Sequence, residues 1–145
     1  MTTANEVAKY IIKSLPVDNL KLQKLLYYSQ GVHLVLYNKT PLFEDEIEAW
    51  DYGPVVPSVY HEYKKYGFDI IPSTDEDTNL SMEEMSTINQ VLQYFGEMSG
   101  VALLNQTHYE SPWKDAYKNR KSDNIITKES IYNYLKNSLS FSDGE

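Results

Sequence analysis

The sequence predicts a mainly α-helical fold: a compact single helical domain of about six to seven helices, with room for a small β-hairpin near its middle. Three observations predict it. Apolar residues recur three and four apart through most of the chain. Proline, glycine and cap residues punctuate those runs at helical lengths. The 145 residues are 41% hydrophobic, enough for one core without a disulfide or metal staple. Residues 1–137 are assigned to this domain and 138–145 to a frayed tail.

The first helix is placed at Asn5 to Ser14, where Val7, Ala8, Ile11 and Ile12 share a face with Leu15. Pro16 stops it, because the residue before a proline is driven out of the helical region. The second helix runs from Asn19 or Leu20 to about Tyr37, with Asp18 or Asn19 as its cap. Its stripe is Leu22, Leu25, Leu26, Val32 and Leu36; Tyr28 and Ser29 share the broad face, and Gly31 marks the close approach of another backbone. After a turn at Asn38-Lys39-Thr40-Pro41, Leu42-Phe43 and Ile47 to Trp50 read as short extended segments folded around Glu44-Asp45-Glu46. Gly53-Pro54 reads as the opening of a third helix with Pro54 at its first position and Pro57 still within the first turn. Val56, Val59, Tyr60 and Tyr63 form its inner stripe, and Gly67 ends it.

Ile70 to Thr78 reads as an irregular loop, with Asp75, Glu76 and Asp77 facing water. Ser81 and Glu84 have capping-box spacing, each side chain taking the other's backbone amide. The fourth helix then carries Met85, Ile88, Val91, Leu92 and Phe95 to a stop at Gly96. A short fifth helix over Ser99 to Gln106 partly buries Val101, Leu103 and Leu104. Ser111-Pro112 caps a sixth helix through Tyr117, and a last helix after Thr127 carries Tyr134, Ile131 and Leu135.

Composition narrows the function. Thirteen basic residues face twenty-one acidic ones, a formal net charge of -8. Proteins that grip phosphate backbones carry basic patches, so direct nucleic-acid binding is not expected. A basic protein partner fits better, because opposite fields speed encounter. The chain has no cysteine, which removes disulfides, thiolate metal sites and Cys nucleophiles. No apolar run is long enough for a transmembrane helix, and the first residues lack a secretion signal, so no membrane partner and a cytoplasmic location are expected. Thirteen tyrosines supply rings that bury their faces while their hydroxyls seek partners.

No reactive motif stands out, so neither an enzyme, a metal nor a cofactor is expected. His33, His61 and His108 have no ligand spacing, the six glycines are isolated, and no serine sits in a nucleophile elbow. A hydrolase would need Asp51, His61 and His108 to converge within about 4 Å. Thr107-His108-x-Glu110-x-Pro112-Trp113 has two readings. One is an anion or carboxylate site at a helix start. The other is local bracing, with His108 and Glu110 satisfying loop backbone groups while Trp113 plugs the core. Around Asp51 to Pro54, Trp50 buries, Gly53 relieves the backbone, and Asp51 or Tyr52 braces the turn.

Several of these segments, taken in order, resemble the Panacea domain family, also called SocA-like or GepA-like. The likeness rests on Lys21-Leu22-Gln23-Lys24-Leu25-Leu26-Tyr27-Tyr28 with Gln30-Gly31, then Pro41-Leu42-Phe43, Glu48-Ala49-Trp50, Gly53-Pro54-Val55, Pro57 and Val59-Tyr60, Leu80-Ser81, and finally Thr107-His108, Glu110 and Pro112-Trp113. It covers roughly Asp18 to Leu135. Asp51-Tyr52 and His61-Glu62 are small departures that break no motif. The resemblance implies an antitoxin that neutralises a cognate toxin of a toxin–antitoxin pair by direct protein contact. Toxins paired with this family include RNA-modifying and translation-blocking enzymes, and one branch delivers its toxin to a cytosolic ATP-dependent protease. An adaptor, or a phage or mobile-element regulatory protein, is the alternative reading.

For a partner-binding surface, the sequence offers Tyr27, Tyr28 and Gln30 with Tyr60, Tyr63 and Tyr66, where the outer faces of two helices meet; the competing reading makes Tyr28, Tyr60 and Tyr63 core residues. A second candidate is the acidic rim Glu44, Asp45, Glu46 and Glu48, whose competing reading is an ordinary solvated hairpin. The family-motif residues Lys21, Gln23, Lys24, Trp50, Gly53, Pro54, Thr107, His108, Glu110, Pro112 and Trp113 read as structural.

Overall fold

The computed structural model describes residues 2–118 and 124–138. Helix α1 (Ala4–Ser14) begins where the Thr3 hydroxyl accepts from the Glu6 amide, and ends in the extended residue Leu15 before Pro16. Helix α2 (Asn19–Leu36) is capped by Asp18, whose carboxylate accepts from the Lys21 amide at 2.8 Å. Every α2 residue from Leu22 to Leu34 is buried, polar ones included. The expected single apolar stripe is therefore replaced by burial on all faces. α2 is the axis of the molecule, and its polar side chains must find partners inside the protein.

The sheet differs from the expected hairpin. Strands β1 (Ile47–Trp50) and β2 (Gly53–Val55) pair antiparallel in the register Glu48 to Val55, Ala49 to Pro54 and Trp50 to Gly53. The turn is thus Asp51-Tyr52, while Glu44 to Glu46 precede β1 as irregular chain. Gly53-Pro54 lies in β2 and does not open a helix. Pro54 is tolerated because β2 is an edge strand. Gly53 has φ +96° and sits where hairpin, α2 and a later helix meet: a Cβ there would lie 2.8 Å from Lys24 Cε and 3.1 Å from Thr107 Oγ1.

Helix α3 (Pro57–Tyr63) takes Pro57 at its first position and runs into a single 3-10 turn, Lys64–Tyr66, closed by Gly67. The following loop is irregular, and its exposed acids pair with α1: Glu76 with Lys9 at 3.5 Å and Asp77 with Lys13 at 3.8 Å. Helix α4 (Met82–Phe95) carries the full capping box of Ser81 and Glu84. Helix α5 (Gly100–His108) is capped by Ser99, and helix α6 (Ser111–Lys118) follows. Strand β3 (Ile125–Ile126) joins the free edge of β1, giving the order β2-β1-β3. At two residues it is too short to leave a periodicity.

Helix α7 (Lys128–Ser138) closes the fold, burying Ile131 and Leu135 against α2. Gly31 is what permits this, but toward side chains and not the backbone expected: a Cβ there would lie 2.0 Å from Leu135 Cδ1 and 2.7 Å from Ile131 Cγ2. Helices α1, α4, α5 and α7 pack around α2, with β2 and α3 over its N-terminal half. Among the described residues no helix is long and apolar enough to cross a membrane. The expected tail falls outside the described residues, apart from Ser138.

Candidate functional site

Because α2 has no solvent face along most of its length, its motif side chains turn inward and pin loops. Gln23 Oε1 accepts from the Val56 amide at 2.8 Å, and its Nε2 donates to Asn19 Oδ1, which in turn donates from Nδ2 to the Tyr60 carbonyl. Gln30 Oε1 accepts from the Leu42 amide at 2.7 Å while its Nε2 donates to the Phe43 carbonyl at 2.7 Å. Lys21 Nζ donates to the Gly96 carbonyl that ends α4. Lys24, fully buried, donates from Nζ to the Pro54 carbonyl at 3.1 Å. Burial pulls its ammonium down to about 7, against the opposing field of Asp18.

Tyr27 and Tyr28 donate to the two carboxylate oxygens of Glu110 at 2.8 and 2.7 Å, and Gln106 Nε2 donates to the Tyr28 hydroxyl. Burial pushes Glu110 above the usual carboxylate range, while the two tyrosine hydrogen bonds draw it back. Burial, and then the Glu110 charge, push both tyrosines up. Two sequence expectations fall here. Tyr27, Tyr28 and Gln30 are buried and offer no partner surface. Glu110 does not satisfy loop backbone; it is the acceptor that lets two tyrosine rings enter the core. The pairing spans more than eighty residues, so no local pattern could reveal it.

The second hallmark segment braces the hairpin. Trp113 is buried, stacks between His108 and Tyr117 at 4.1 and 4.4 Å, and donates from Nε1 to the Trp50 carbonyl at 2.8 Å. His108 Nε2 lies 3.2 Å from the Asp51 carbonyl, and the Tyr117 hydroxyl donates to the Asp51 carboxylate. Thr107 and Pro112 are buried. His108 thus meets Asp51 through the main chain, while His61 lies among the rings of Trp50 and Tyr60 at 6.4 and 5.5 Å. Among the described residues no group of three histidines or carboxylates is placed to hold a metal.

The acidic rim is partly spent on the fold. Asp45 accepts from the Ala4 amide at 2.9 Å and from the Ser58 hydroxyl at 2.8 Å, tying α1 to α3. Glu44 pairs with Lys128 at 3.8 Å; Glu46 is exposed. Tyr63 and Tyr66 pack partly against the core.

An open groove of about 440 Å³ remains between the β1–β2 hairpin, α3 and α5, above the N-terminal half of α2. Trp50, Tyr52, Tyr60 and Phe68 give it aromatic walls, and Val101 and Leu104 close the α5 side. Trp50 meets Tyr60 edge-on at 5.0 Å. Tyr52, Phe68 and Val101 are 70%, 88% and 59% exposed, so three exposed large hydrophobic side chains gather at one place. Burial of that kind of surface is what protein contacts supply. Of the sequence-chosen contact residues, Tyr60 alone lines this groove. Tyr52, Phe68, Val101 and Leu104 were missed; Val101 was expected to be partly buried. The available signal was Val101 and Leu104 three apart on one helical face, with Phe68 just past a helix-ending glycine.

The lining includes Lys24 below and Lys64 at the edge, and no carboxylate. Its polar floor, Asn19 and Gln23, is already bonded to Tyr60 and Val56. The motif residues of α2 therefore shape the groove from beneath.

A family model described as the antitoxin SocA-like Panacea domain matches residues 22–114. Antitoxin SocA of Caulobacter vibrioides (strain NA1000 / CB15N) is 34% identical over 128 residues, covering 77% of this chain. The chain spans 65% of the length of that curated relative. No solved structure matches it.

Proposed function

The chain belongs to the antitoxin SocA-like Panacea domain family, and from that premise we propose that it is a cytoplasmic antitoxin that holds a cognate toxin inactive by direct contact. The observation that carries the contact reading is the groove, whose exposed Tyr52, Phe68 and Val101 stand over a floor held by family-motif side chains. Exposed aromatics around a preformed hollow are the composition of a binding hot spot. Nothing in this mechanism asks for bond chemistry. The antitoxin acts by occupying or distorting the toxin, and its rigid α2 axis keeps the contact face in shape before the partner arrives. RNA-modifying and translation-blocking enzymes are the toxin classes proposed.

Co-expression tests the reading. The product of the neighbouring gene, expressed alone, is expected to arrest growth, and expression with this chain to restore it with a complex that co-purifies. Unrelieved arrest with no complex contradicts the proposal. Restored growth accompanied by faster turnover of the toxin, lost in a strain without the ATP-dependent protease, would assign delivery in place of blocking.

A further inference from the structure

The groove also carries information about what enters it. The chain as a whole is acidic, with twenty-one carboxylates against thirteen basic side chains. The groove shifts that balance: its lining holds two lysines, and Glu48 of the adjoining hairpin is committed to the indole of Trp50 at 2.8 Å. Lys24 is fully buried yet, among the described residues, has a single hydrogen-bond acceptor, the Pro54 carbonyl, although an ammonium has three donors. Asp18 acts on it through space without a hydrogen bond. The neighbouring amides of Asn19 and Gln23 are committed to the backbone of α3 and its lead-in. Spare positive donor capacity therefore lies beneath aromatic walls.

We propose that the groove receives from the protein partner a segment bearing an aromatic or branched apolar side chain next to a carboxylate, the side chain lodging among Trp50, Tyr60 and Phe68 and the carboxylate meeting exposed Lys64 above buried Lys24. This rests on the contact reading above, and it reverses the charge logic drawn from composition: the partner brings the acid to the groove. An incoming carboxylate adds a counter-charge on the groove side to the through-space field of Asp18. Because burial holds that ammonium near neutral pH, binding draws a proton onto it. Asp18, the cap of α2, acts on Lys24 from its own helix end; Lys64 shares the groove from the turn after α3; Glu48 of the hairpin has its carboxylate held by the Trp50 indole at 2.8 Å; and α5 adds no charged side chain to the lining.

The test uses the full chain, 15N-labelled, titrated with three small probes of equal length: 4-phenylbutyrate, its neutral amide, and 4-phenylbutylamine. Phenylbutyrate is expected to shift the Trp50 indole and the Val101 and Leu104 amides, and to bind about fivefold tighter than the amide at pH 7. The amine should bind weakest. Lys24→Met and Lys64→Gln should each reduce the preference for the acid over the amide, and Phe68→Ala, at an exposed position, should weaken all three. Random linear peptides selected on the chain and eluted with phenylbutyrate should carry an aromatic or branched residue beside Asp or Glu. Equal binding of the three probes, preference for the amine, or selection of basic peptides overturns the proposal. So does loss of the probe response through self-association, which would give the groove to a second copy. These outcomes leave growth rescue untouched, so failure here is distinguishable from failure of the antitoxin reading.

Discussion

Lys24 Nζ donates to the carbonyl of Pro54, joining the N-terminal half of α2 to the edge strand of the hairpin. The two residues belong to different motifs thirty positions apart. Their bond explains two otherwise separate facts: a lysine with no solvent exposure, and a hairpin held against a helix by a strand of three residues. It also places an ammonium under the aromatic groove.

Stability should follow the titration of this lysine. Its folded value, about 7, lies below the ordinary 10.5, so the unfolded chain binds the proton that the folded chain has released. Stability contributed at Lys24 therefore rises with pH above about 7, by at most about 1.4 kcal/mol per pH unit. Urea unfolding at pH 7, 8 and 9 should show this rise, and Lys24→Met should flatten it. A parallel pH dependence in both proteins would remove Lys24 as its source.

Glu110→Ala should lower stability by roughly 2–4 kcal/mol, because it strands the Tyr27 hydroxyl and leaves Tyr28 with Gln106 alone. Glu110→Gln should cost less, since its amide oxygen still accepts one hydroxyl. Denaturant midpoints check both. Equal midpoints for wild type and alanine variant would mean that the carboxylate does not hold the rings.

Gly31→Ala should destabilise by roughly 1–3 kcal/mol through overpacking, since the new methyl overlaps Leu135 and Ile131. The double variant Gly31→Ala with Leu135→Ala should recover part of the loss, a coupling read from a thermodynamic cycle. Additive losses would place the strain elsewhere.

Gln30→Ala should free the chain at Leu42-Phe43, whose two amides donate to Gln30 Oε1 and whose Phe43 carbonyl accepts from Gln30 Nε2. The measurement is amide exchange: protection at Leu42 and Phe43 should fall well before global unfolding. Unchanged protection there would show that apolar packing of Leu42 and Phe43 suffices.

Local signals in the sequence were strong where one side chain acts on its own neighbours. Pro16 ended α1, Asp18 capped α2, and Ser81 with Glu84 opened α4. The hairpin was misplaced because Gly53-Pro54 also has the form of a helix start; what decides it is the pairing of Trp50 with Gly53 and the crowding of Gly53 by Lys24 and Thr107. The tyrosines stay between surface and core in the sequence for a related reason. Whether Tyr27 and Tyr28 face water depends on Glu110, an acceptor from the other end of the chain. The groove is less legible still, since Tyr52, Phe68 and Val101 come from three elements that only the fold brings together.

The most direct test of the contact face is photo-crosslinking of the complex with the neighbouring gene's product. A benzophenone side chain placed at Phe68 or Tyr52 should attach to the toxin, while the same group at Met82 or Tyr94, exposed but outside the groove, should not. Attachment from Met82 or Tyr94, with none from Phe68 or Tyr52, would contradict the account.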